Sequence, residues 1–444
     1  MTSEWTQFIE LLHREVVPAL GCTEPIAIAL AAAKAAETLG ATPESIEANI
    51  SGNLLKNGMG VGVPGTGQRG LDIAAAVGAL GGKSEAMLEV LKDLSPQHVE
   101  QANAMLKAGK VHIDVANTDA LLYCEIIVKN GDDTARVVLQ DEHTGIVHVE
   151  KNGQVLEHVD THREDAGHQA EWPLSMKKIV EFAETAPFSE ISFILEAARM
   201  NEAVAKEGLL GDYGLQVGKT IEKNIKKHIL GDDLLNEAVK LTSAAADARM
   251  HGVQMPVMSN SGSGNQGLTC TMPVVACAHR LKVSEERLTR ALILSHLTSI
   301  HIKHNLGRLS ALCGATVAGT ASACGIVYLL GGSFDQVVMT INNMVGSIAG
   351  MICDGAKNGC ALKVASAVDS GLRAAMLALE GHTITGREGI VSDDIEQTIQ
   401  NLGRLGAEGM RETDRVILDT MVSKKNAKPA PERTPELGTE EFVH

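Results

Sequence analysis

The spacing of hydrophobic residues changes along the chain, from a helical period to a period of two and back again. Between residues 4 and 20 hydrophobic positions recur every three or four residues, which predicts a helix. Gly21 is expected to end this helix, and Thr23 is a favourable N-cap for a second, apolar helix. Residues 46–63 then predict a strand that enters a glycine-rich loop.

Residues 110–160 alternate between hydrophobic and polar positions, which is typical of strands with one buried face. Three dipeptides separate the alternating segments, namely Asn130-Gly131, Thr144-Gly145 and Asn152-Gly153. Such pairs favour tight hairpin turns between antiparallel strands. The pattern therefore predicts an antiparallel meander, with one face covered by the early helices.

The chain after Pro173 has helical periodicity, with no strand pattern of comparable strength. Helices are predicted at residues 174–186, 189–207, 214–229, 232–249, 268–281, 284–304, 310–331, 335–353 and 357–379. The predicted fold class is α+β, in which N-terminal helices and an antiparallel β-meander precede a mostly all-α domain.

Three regions are expected along the chain. Residues 1–168 form an α+β domain that contains Cys22 and the glycine-rich loop. Residues 169–423 form the all-α domain, which would carry the catalytic chemistry. Residues 424–444 are rich in proline and charge, and this composition favours a disordered tail.

Composition and charge argue against several classes of function. The chain has 444 residues, with 39 Lys and Arg against 55 Asp and Glu and a formal net charge of −16. Nucleic-acid binding is not expected, because it needs clustered basic side chains, and aromatic residues make up only 2% of the chain. Residues 309–334 carry no charge, but their content of Gly, Ser, Thr and Cys favours a buried helix over a membrane span.

The N-terminal segment lacks the uninterrupted apolar stretch of a secretory signal, so a cytoplasmic protein is expected. The eight cysteines are then reduced, and each is a core residue, a catalytic group or a metal ligand. The sequence leaves both a monomer and a homo-oligomer open.

Three cysteines of the helical region, Cys313, Cys353 and Cys360, are candidates for a metal centre. Three thiolates can hold three irons of a 4Fe–4S cluster and leave the fourth iron open as a Lewis acid. Their spacing matches neither the compact ferredoxin motif nor a zinc ribbon. The spacing by itself therefore leaves buried core cysteines as the alternative.

The segment from Ser259 to Gly267 offers short hydroxyl groups and backbone N–H groups before a predicted helix. Its candidate ligands for a substrate carboxylate are Ser261, Gly262, Ser263, Gly264 and Asn265. A helix N-terminus and a nest of N–H groups bind anions. A plain connecting loop is the alternative.

Cys22 is expected just before a helix N-terminus, where the helix dipole lowers a thiol pKa and favours a thiolate. It is a candidate base or nucleophile, with a buried core residue as the alternative. A polar stripe with His301, Lys303 and Asn305 is a further candidate, or else a solvated helix end. The histidines from His143 to His168 have irregular spacing and are expected at the surface.

Several segments together resemble the L-cysteine desulfidases, which are oxygen-sensitive iron–sulfur lyases related to the bacterial iron–sulfur L-serine dehydratases. These segments are GCTEP, SGNLLKNGMGVGVPGTGQRG, SGSGNQG, KHNLGRLSALCGATVAG and GMICDGAKNGC, and they extend over nearly the whole chain. The resemblance implies a 4Fe–4S cluster held by Cys313, Cys353 and Cys360. It also implies that Cys22 acts as the proton acceptor.

The implied reaction is β-elimination on L-cysteine, which gives sulfide, ammonia and pyruvate. The substrate carboxylate would lie in the Ser261–Gly267 loop, and Lys303, His301 or Asn305 would position the substrate. The related serine dehydratases have a longer gap between their last two cluster ligands. Here the gap from Cys353 to Cys360 is 7 positions, as in the desulfidases, which favours L-cysteine as the substrate.

Three alternatives stay open at this point. The first is an iron–sulfur L-serine dehydratase. The second is a pyridoxal-phosphate lyase, because SGSGNQG resembles a carboxylate-binding loop of such enzymes, which also need alternating strands and helices. The third is a non-catalytic protein that binds a small molecule and has its cysteines in the core. For an enzyme of either lyase class, the expected partner is a small amino acid.

Overall fold

Two hydrophobic cores organise the protein, one around the sheet of the N-terminal part and one among the helices that follow. The computed structural model describes residues 3–118, 120–159, 174–307 and 310–425. The predicted α+β fold class is confirmed. The domain boundary predicted at residue 168 lies outside the described residues, as does the predicted tail except for its first two residues, and both stay predictions.

The N-terminal part contains the elements that build the sheet and cover it. In chain order they are α1 (Ser3–Glu15), β1 (Pro18–Leu20), α2 (Thr23–Leu39), β2 (Ser45–Ile50), α3 (Gly52–Gly58), β3 (Gly62–Val63), β4 (Gln68–Arg69), α4 (Leu71–Gly81), α5 (Pro96–Lys107), β5 (Val111–Val115), β6 (Tyr123–Asn130), β7 (Asp133–Gln140), β8 (Ile146–Lys151) and β9 (Gln154–His158). The predicted glycine-rich loop includes α3 and the small β3–β4 hairpin, which the sequence analysis did not separate.

The main sheet has the strand order β5-β2-β6-β7-β8-β9. Strands β6 to β9 form the predicted antiparallel meander, and the predicted turn dipeptides lie at its hairpins. The prediction is wrong for β5, which pairs in parallel with β2 instead of joining the meander. The chain between β2 and β5 passes through α3, α4 and α5, and a crossover of this kind returns a strand in the parallel direction.

The second part of the chain is almost entirely helical. Its elements are α6 (Met176–Thr185), α7 (Phe188–Ile191), α8 (Leu195–Leu210), α9 (Val217–Lys226), α10 (Leu234–His251), β10 (Pro256–Met258), α11 (Gly264–Leu281), α12 (Glu285–Leu306), α13 (Gly314–Leu329), α14 (Phe334–Ile348), α15 (Cys360–Leu379), α16 (Ile395–Arg404) and α17 (Arg411–Lys425). Alternating strands and helices, which the pyridoxal-phosphate alternative requires, are not found in residues 174–307 or 310–425.

Three elements of this part are absent from the prediction. Strand β10 is only three residues long, too short to produce a recognisable period of two. Helix α17 is mostly polar and has no continuous apolar stripe. Helix α16 does have such a stripe, formed by Ile395, Ile399 and Leu402, so the sequence contained the signal for it.

Small residues let α13 and α15 pack very closely. A Cβ atom on Gly319 would lie 2.8 Å from the carbonyl oxygen of Ala367, and one on Gly371 would lie 2.8 Å from that of Gly319. The uncharged segment thus contains a buried helix, α13, as expected. Within the described ranges no helix is long and apolar enough to cross a membrane. The close packing holds the N-termini of α13 and α15 side by side.

The first helix packs on the helical core and not on the sheet. The rings of Trp5 and Phe8 each lie 5.2 Å from the ring of Phe182 in α6, measured between centroids. After α1 the chain forms β1, which pairs antiparallel with β10. The start of the chain is therefore tied to the helical part before α2 enters the sheet layer.

Candidate active site

A cavity of about 140 Å³ lies where the N-termini of α2, α11, α13 and α15 meet the end of α12. Helix N-termini carry partial positive charge, so their convergence favours an anionic ligand. Most of the predicted site residues line this cavity, namely Cys22, Ser261, Gly262, Ser263, Asn265, Lys303, Cys313, Cys353 and Cys360.

Backbone pairing carries Cys22 to the cavity. Pro18 in β1 pairs with Met258 in β10, and the N–H of Ser261 donates to the carbonyl of Glu15 (2.9 Å). This pairing lays the chain before Cys22 along the Ser259–Gly267 loop. The N-cap of α2 is Cys22, one residue before the predicted N-cap Thr23, which is the first residue of the helix.

An antiparallel backbone bridge holds Cys313 and Cys353. The N–H of Cys313 donates to the carbonyl of Met351 (2.9 Å), and the N–H of Cys353 donates to the carbonyl of Ala311 (2.6 Å). In this register the two cysteines are diagonal neighbours on one face of the bridge. Diagonal neighbours of an antiparallel pair lie about 7–8 Å apart.

Cys360 is the first residue of α15, and its Sγ lies 3.7 Å from the carbonyl oxygen of Gly355. Gly355 has φ +91°, and a Cβ atom there would clash with the carbonyl of Lys56, so only glycine fits. Asp354, one residue earlier, forms an ion pair with Lys363 of α15. These contacts fix the short segment that connects Cys353 to Cys360.

Three cysteine side chains of the cavity have the donor chemistry that an iron–sulfur cluster requires. In the part of the chain that the structure describes, no three His, Cys, Asp or Glu side chains are arranged to hold a single ion. Cys313 and Cys353 lie diagonally across the bridge, and Cys360 lines the same cavity from the start of α15. Thiolates are also the ligands that iron–sulfur clusters use.

Burial favours the neutral form of two thiols of the cavity. Burial raises the thiol pKa of Cys313 and Cys360. Lys363 is a neighbouring positive charge for both of these thiols. Lys303 interacts with Cys313 and Cys353, and burial lowers the pKa of Lys303 itself. Thiols in this setting release their protons when a metal binds, because coordination stabilises the thiolate.

The expected low thiol pKa of Cys22 is wrong. Burial and the negative charge of Glu24 raise the pKa of this thiol, and they outweigh the nearby positive charge of Arg249. The thiol donates to Glu24 Oε2 (3.1 Å), and the Thr23 hydroxyl donates to the same oxygen (3.2 Å). Cys22 is therefore a neutral thiol that has a carboxylate acceptor within hydrogen-bond distance.

A buried polar network fixes the Ser259–Gly267 loop. Asn260 Nδ2 donates to His296 Nδ1 (3.1 Å), and His296 Nε2 lies 3.1 Å from Thr271 Oγ1. Asn201 Nδ2 donates to the carbonyl of residue 258 just before the loop (3.2 Å). Burial lowers the pKa of His296 to about 3, so the ring is neutral and can accept at Nδ1.

Two of the candidate site residues, Gly264 and Asn305, lie outside the lining of the cavity, and so does the neighbouring His301. A Cβ atom on Gly264 would clash with Arg249, so this glycine makes room for the guanidinium. Asn305 Nδ2 donates to the carbonyl of His301 (3.0 Å), and His301 Nε2 lies 2.7 Å from Glu396 of α16. His301 thus connects α12 to α16.

Several polar residues of the cavity were missed by the sequence analysis, and these are Glu24, Asn57, His143, Arg249, Gln266 and Lys363. Glu24 and Gln266 lie inside the GCTEP and SGSGNQG segments, so the motifs contained a signal for both. Arg249 has no local signal, because only the tertiary fold brings α10 to the loop. The expectation of a surface position is wrong for His143, which lines the cavity.

Comparisons with known proteins agree with one another. A family model for the serine dehydratase alpha chain matches residues 85–419, which include Cys313, Cys353 and Cys360 but not Cys22. A UPF0597 protein of Oleidesulfovibrio alaskensis is 62% identical over 423 residues, which cover 95% of this chain and 99% of the relative. UPF0597 proteins of Bacteroides fragilis (95% and 99% covered) and Aeromonas hydrophila (96% and 98% covered) are each 48% identical.

Proposed function

Because this chain belongs to the serine dehydratase alpha-chain family, we propose that it is a lyase that performs β-elimination on L-cysteine. The products are sulfide, ammonia and pyruvate, with one water consumed when the aminoacrylate product tautomerises and hydrolyses. The observation that carries the proposal is that Cys22 and the three cysteines Cys313, Cys353 and Cys360 line one cavity.

A 4Fe–4S cluster is the cofactor that we propose, with Cys313, Cys353 and Cys360 as its ligands. The convergence of all three cysteines on one cavity supports this assignment. When bound, such a cluster supplies a Lewis-acidic iron that stabilises the departing group. Lys303 and Lys363 would balance part of the negative charge of the thiolates.

The α-proton of the substrate would be removed by Cys22. Its thiol donates to Glu24 Oε2 at 3.1 Å, so the carboxylate can take the thiol proton and leave a thiolate. That thiolate would act as the general base for the substrate Cα–H bond. Burial of both groups keeps water away from the proton transfer, because Cys22 is 4% exposed and Glu24 is 9% exposed.

The substrate carboxylate would bind in the loop before α11. Ser261, Gly262 and Ser263 line the cavity there, close to the helix N-terminus. Lys303 lines the same cavity, and Arg249 lies behind the loop, where Nη1 donates to Asn265 Oδ1 (3.1 Å). Positive charge on this side would orient an amino acid with its carboxylate toward the loop and its side chain toward the cysteines.

L-Serine is the second candidate substrate. The description of the matching family, serine dehydratase alpha chain, favours it directly. The 7-position gap between Cys353 and Cys360 favours L-cysteine through the resemblance to the desulfidases. Both substrates would use the same proton acceptor and the same carboxylate contacts, so the leaving group alone separates them.

A side-by-side turnover measurement tests the proposal. The protein is purified and its cluster reconstituted without oxygen, and pyruvate is measured from L-cysteine and from L-serine, with sulfide measured for the first. A larger kcat/KM for L-cysteine is expected. A larger value for L-serine would make the protein a serine dehydratase.

The controls separate the remaining alternatives. A Cys324→Ala variant, which changes a fully buried cysteine of α13 outside the cavity, should turn over like the wild type. Pyruvate production that borohydride abolishes would support a pyridoxal-phosphate lyase instead. Protein that contains the cluster and gives no product from either amino acid would overturn the lyase proposal.

A further inference from the structure

The side-chain oxygen of Gln266 is buried without a hydrogen-bond partner. Gln266 is 1% exposed and lines the cavity, and its Oε1 accepts no hydrogen bond from the described residues. Buried polar atoms nearly always have a partner, because an unsatisfied acceptor loses its hydration and gains nothing in return. An unsatisfied acceptor in the wall of a cavity therefore points to a donor on a ligand.

The hydrogen-bond network decides which end of the Gln266 side chain is the oxygen. The backbone carbonyl of His296 must accept from Asn260 (3.2 Å), so that end of the Asn260 side chain is its NH2 group. Asn260 Oδ1 then accepts from Gln266 Nε2 (3.0 Å), and Ser299 Oγ accepts from the same nitrogen (3.0 Å). Both hydrogens of Nε2 are used, and Oε1 is left at the other end.

The free oxygen lies next to one of the proposed cluster ligands. A Cβ atom on Gly314 would lie 2.9 Å from Gln266 Oε1, so the absence of a side chain at this position keeps the oxygen open. Gly314 directly follows Cys313 at the start of α13, and both residues line the cavity. A ligand that sits beside Cys313 would come within reach of this oxygen.

The chemistry of the cavity indicates which donor is missing. Lys303, Lys363 and the N-termini of four helices favour anionic groups, so an ammonium group needs an acceptor elsewhere in the lining. The Glu24 carboxylate accepts from Cys22 and Thr23 through the single oxygen Oε2, whereas Gln266 Oε1 has no such partner among the described residues. The open acceptor on Gln266 would supply the missing counterpart.

We propose that Gln266 Oε1 accepts a hydrogen bond from the α-ammonium group of the substrate, and so selects amino acids over acids that lack this group. This inference rests on the proposed function, because it presupposes an α-amino acid in the cavity. Gln266 is thus a specificity residue in addition to holding the loop.

Two ligands that differ only in the ammonium group test the inference, and neither has a leaving group to eliminate. L-Alanine and propionate are titrated into the anaerobic holoenzyme, and their Kd values are measured by calorimetry. The wild type should bind L-alanine more tightly. In Gln266→Met, which removes the oxygen at similar length, the Kd for L-alanine should rise about 10-fold to 100-fold while that for propionate stays the same.

Two further variants make the outcome decisive. Ser299→Ala removes one bond that holds the Gln266 side chain but leaves Oε1, so the preference for L-alanine should persist. Gln266→Glu keeps an acceptor and adds negative charge, so the Kd of propionate divided by the Kd of L-alanine should increase. This variant tests the inference even if Gln266→Met does not fold.

Two results would overturn the role of Gln266 without touching the proposed function. One is an equal loss of affinity for both ligands in Gln266→Met, and the other is an unchanged ratio of the two Kd values in every Gln266 variant. Turnover of L-cysteine by the wild type would still stand in that case. Wild-type holoenzyme that binds neither L-alanine nor L-cysteine and forms no pyruvate would overturn the proposed function, and the inference with it.

Discussion

The Cys22 thiol donates a hydrogen bond to the Glu24 carboxylate, with Sγ 3.1 Å from Oε2, and both side chains are buried at the N-terminus of α2. The pair resembles an arrangement of nucleophile and base, in which a weakly acidic group gains reactivity from an adjacent proton acceptor. Burial and the negative charge of Glu24 raise the thiol pKa, so the neutral thiol is the resting form of this pair.

We predict that Cys22→Ser slows exchange of the substrate α-proton with solvent by about 100-fold to 10,000-fold, the usual contribution of a general base. Glu24→Gln should cause a comparable loss, because an amide cannot take the thiol proton. The measurement is deuterium uptake at Cα of L-alanine, which has no leaving group. Exchange at the wild-type rate in Glu24→Gln would mean that the thiol works without the carboxylate.

Iron content tests the cluster ligands. Cys353→Ala should lose most of the iron and inorganic sulfide that the wild type retains in anaerobic purification, because one of three proposed ligands is missing. Cys324→Ala is the matched control, since Cys324 is fully buried in α13 and does not line the cavity. If the two variants retain equal iron, Cys353 is not a ligand.

The local sequence pattern predicted the parts of the fold that depend on neighbouring residues. The meander follows from alternation and from turn pairs such as Asn130-Gly131, which the structure confirms. The parallel pairing of β5 with β2 was not predictable in this way, because it depends on a crossover through three helices. Strand β10 was also missed, although its pairing with β1 brings Cys22 to the cavity.

The candidate site, like the fold, was predictable only where local sequence motifs carry the signal. The motifs that carry Cys22, Cys313, Cys353 and Cys360 do converge on one cavity, while their chemical roles stay predictions. The direction of the Cys22 pKa shift was wrong, because a rule for helix N-termini does not include burial or Glu24. Arg249 could not be found from the sequence, since only the tertiary fold brings α10 to the loop, where Gly264 leaves room for the guanidinium.

A partly buried ion pair between Lys56 of α3 and Asp414 of α17 connects the last helix to the cavity region. Lys56 is 2% exposed, so removal of its partner leaves a buried charge unpaired. We predict that Asp414→Asn destabilises the protein by about 3 kcal/mol. The double variant Lys56→Met/Asp414→Leu should recover much of this loss.

Hydrogen exchange provides the measurement for this pair. Amides of residues 411–425 should lose protection in Asp414→Asn more than amides of α13 do, because α17 packs on α3 and on little else that the structure describes. Equal protection of α17 in the wild type and in Asp414→Asn would mean that the ion pair does not hold the helix.

The buried ring of His296 makes a specific contribution to the pH dependence of stability. Its folded-state pKa is about 3, because burial opposes the charged form, whereas an unfolded histidine has a pKa near 6.5. Between these two values the unfolded chain binds one more proton than the folded chain, so the free energy of unfolding falls as the pH falls. One proton corresponds to a slope of about 1.4 kcal/mol per pH unit.

We predict that His296→Gln flattens this slope between pH 6 and pH 4, by about the amount that one proton contributes. Glutamine does not titrate, and it can accept from Asn260 and donate to Thr271 as the ring does. The measurement is the free energy of unfolding in urea at several pH values, and the comparison with the wild type cancels the carboxylates that titrate in the same range. Parallel curves for the two proteins would mean that the ring already carries its proton in the folded state, and the neutral acceptor that orients the loop through Asn260 would have to be another group.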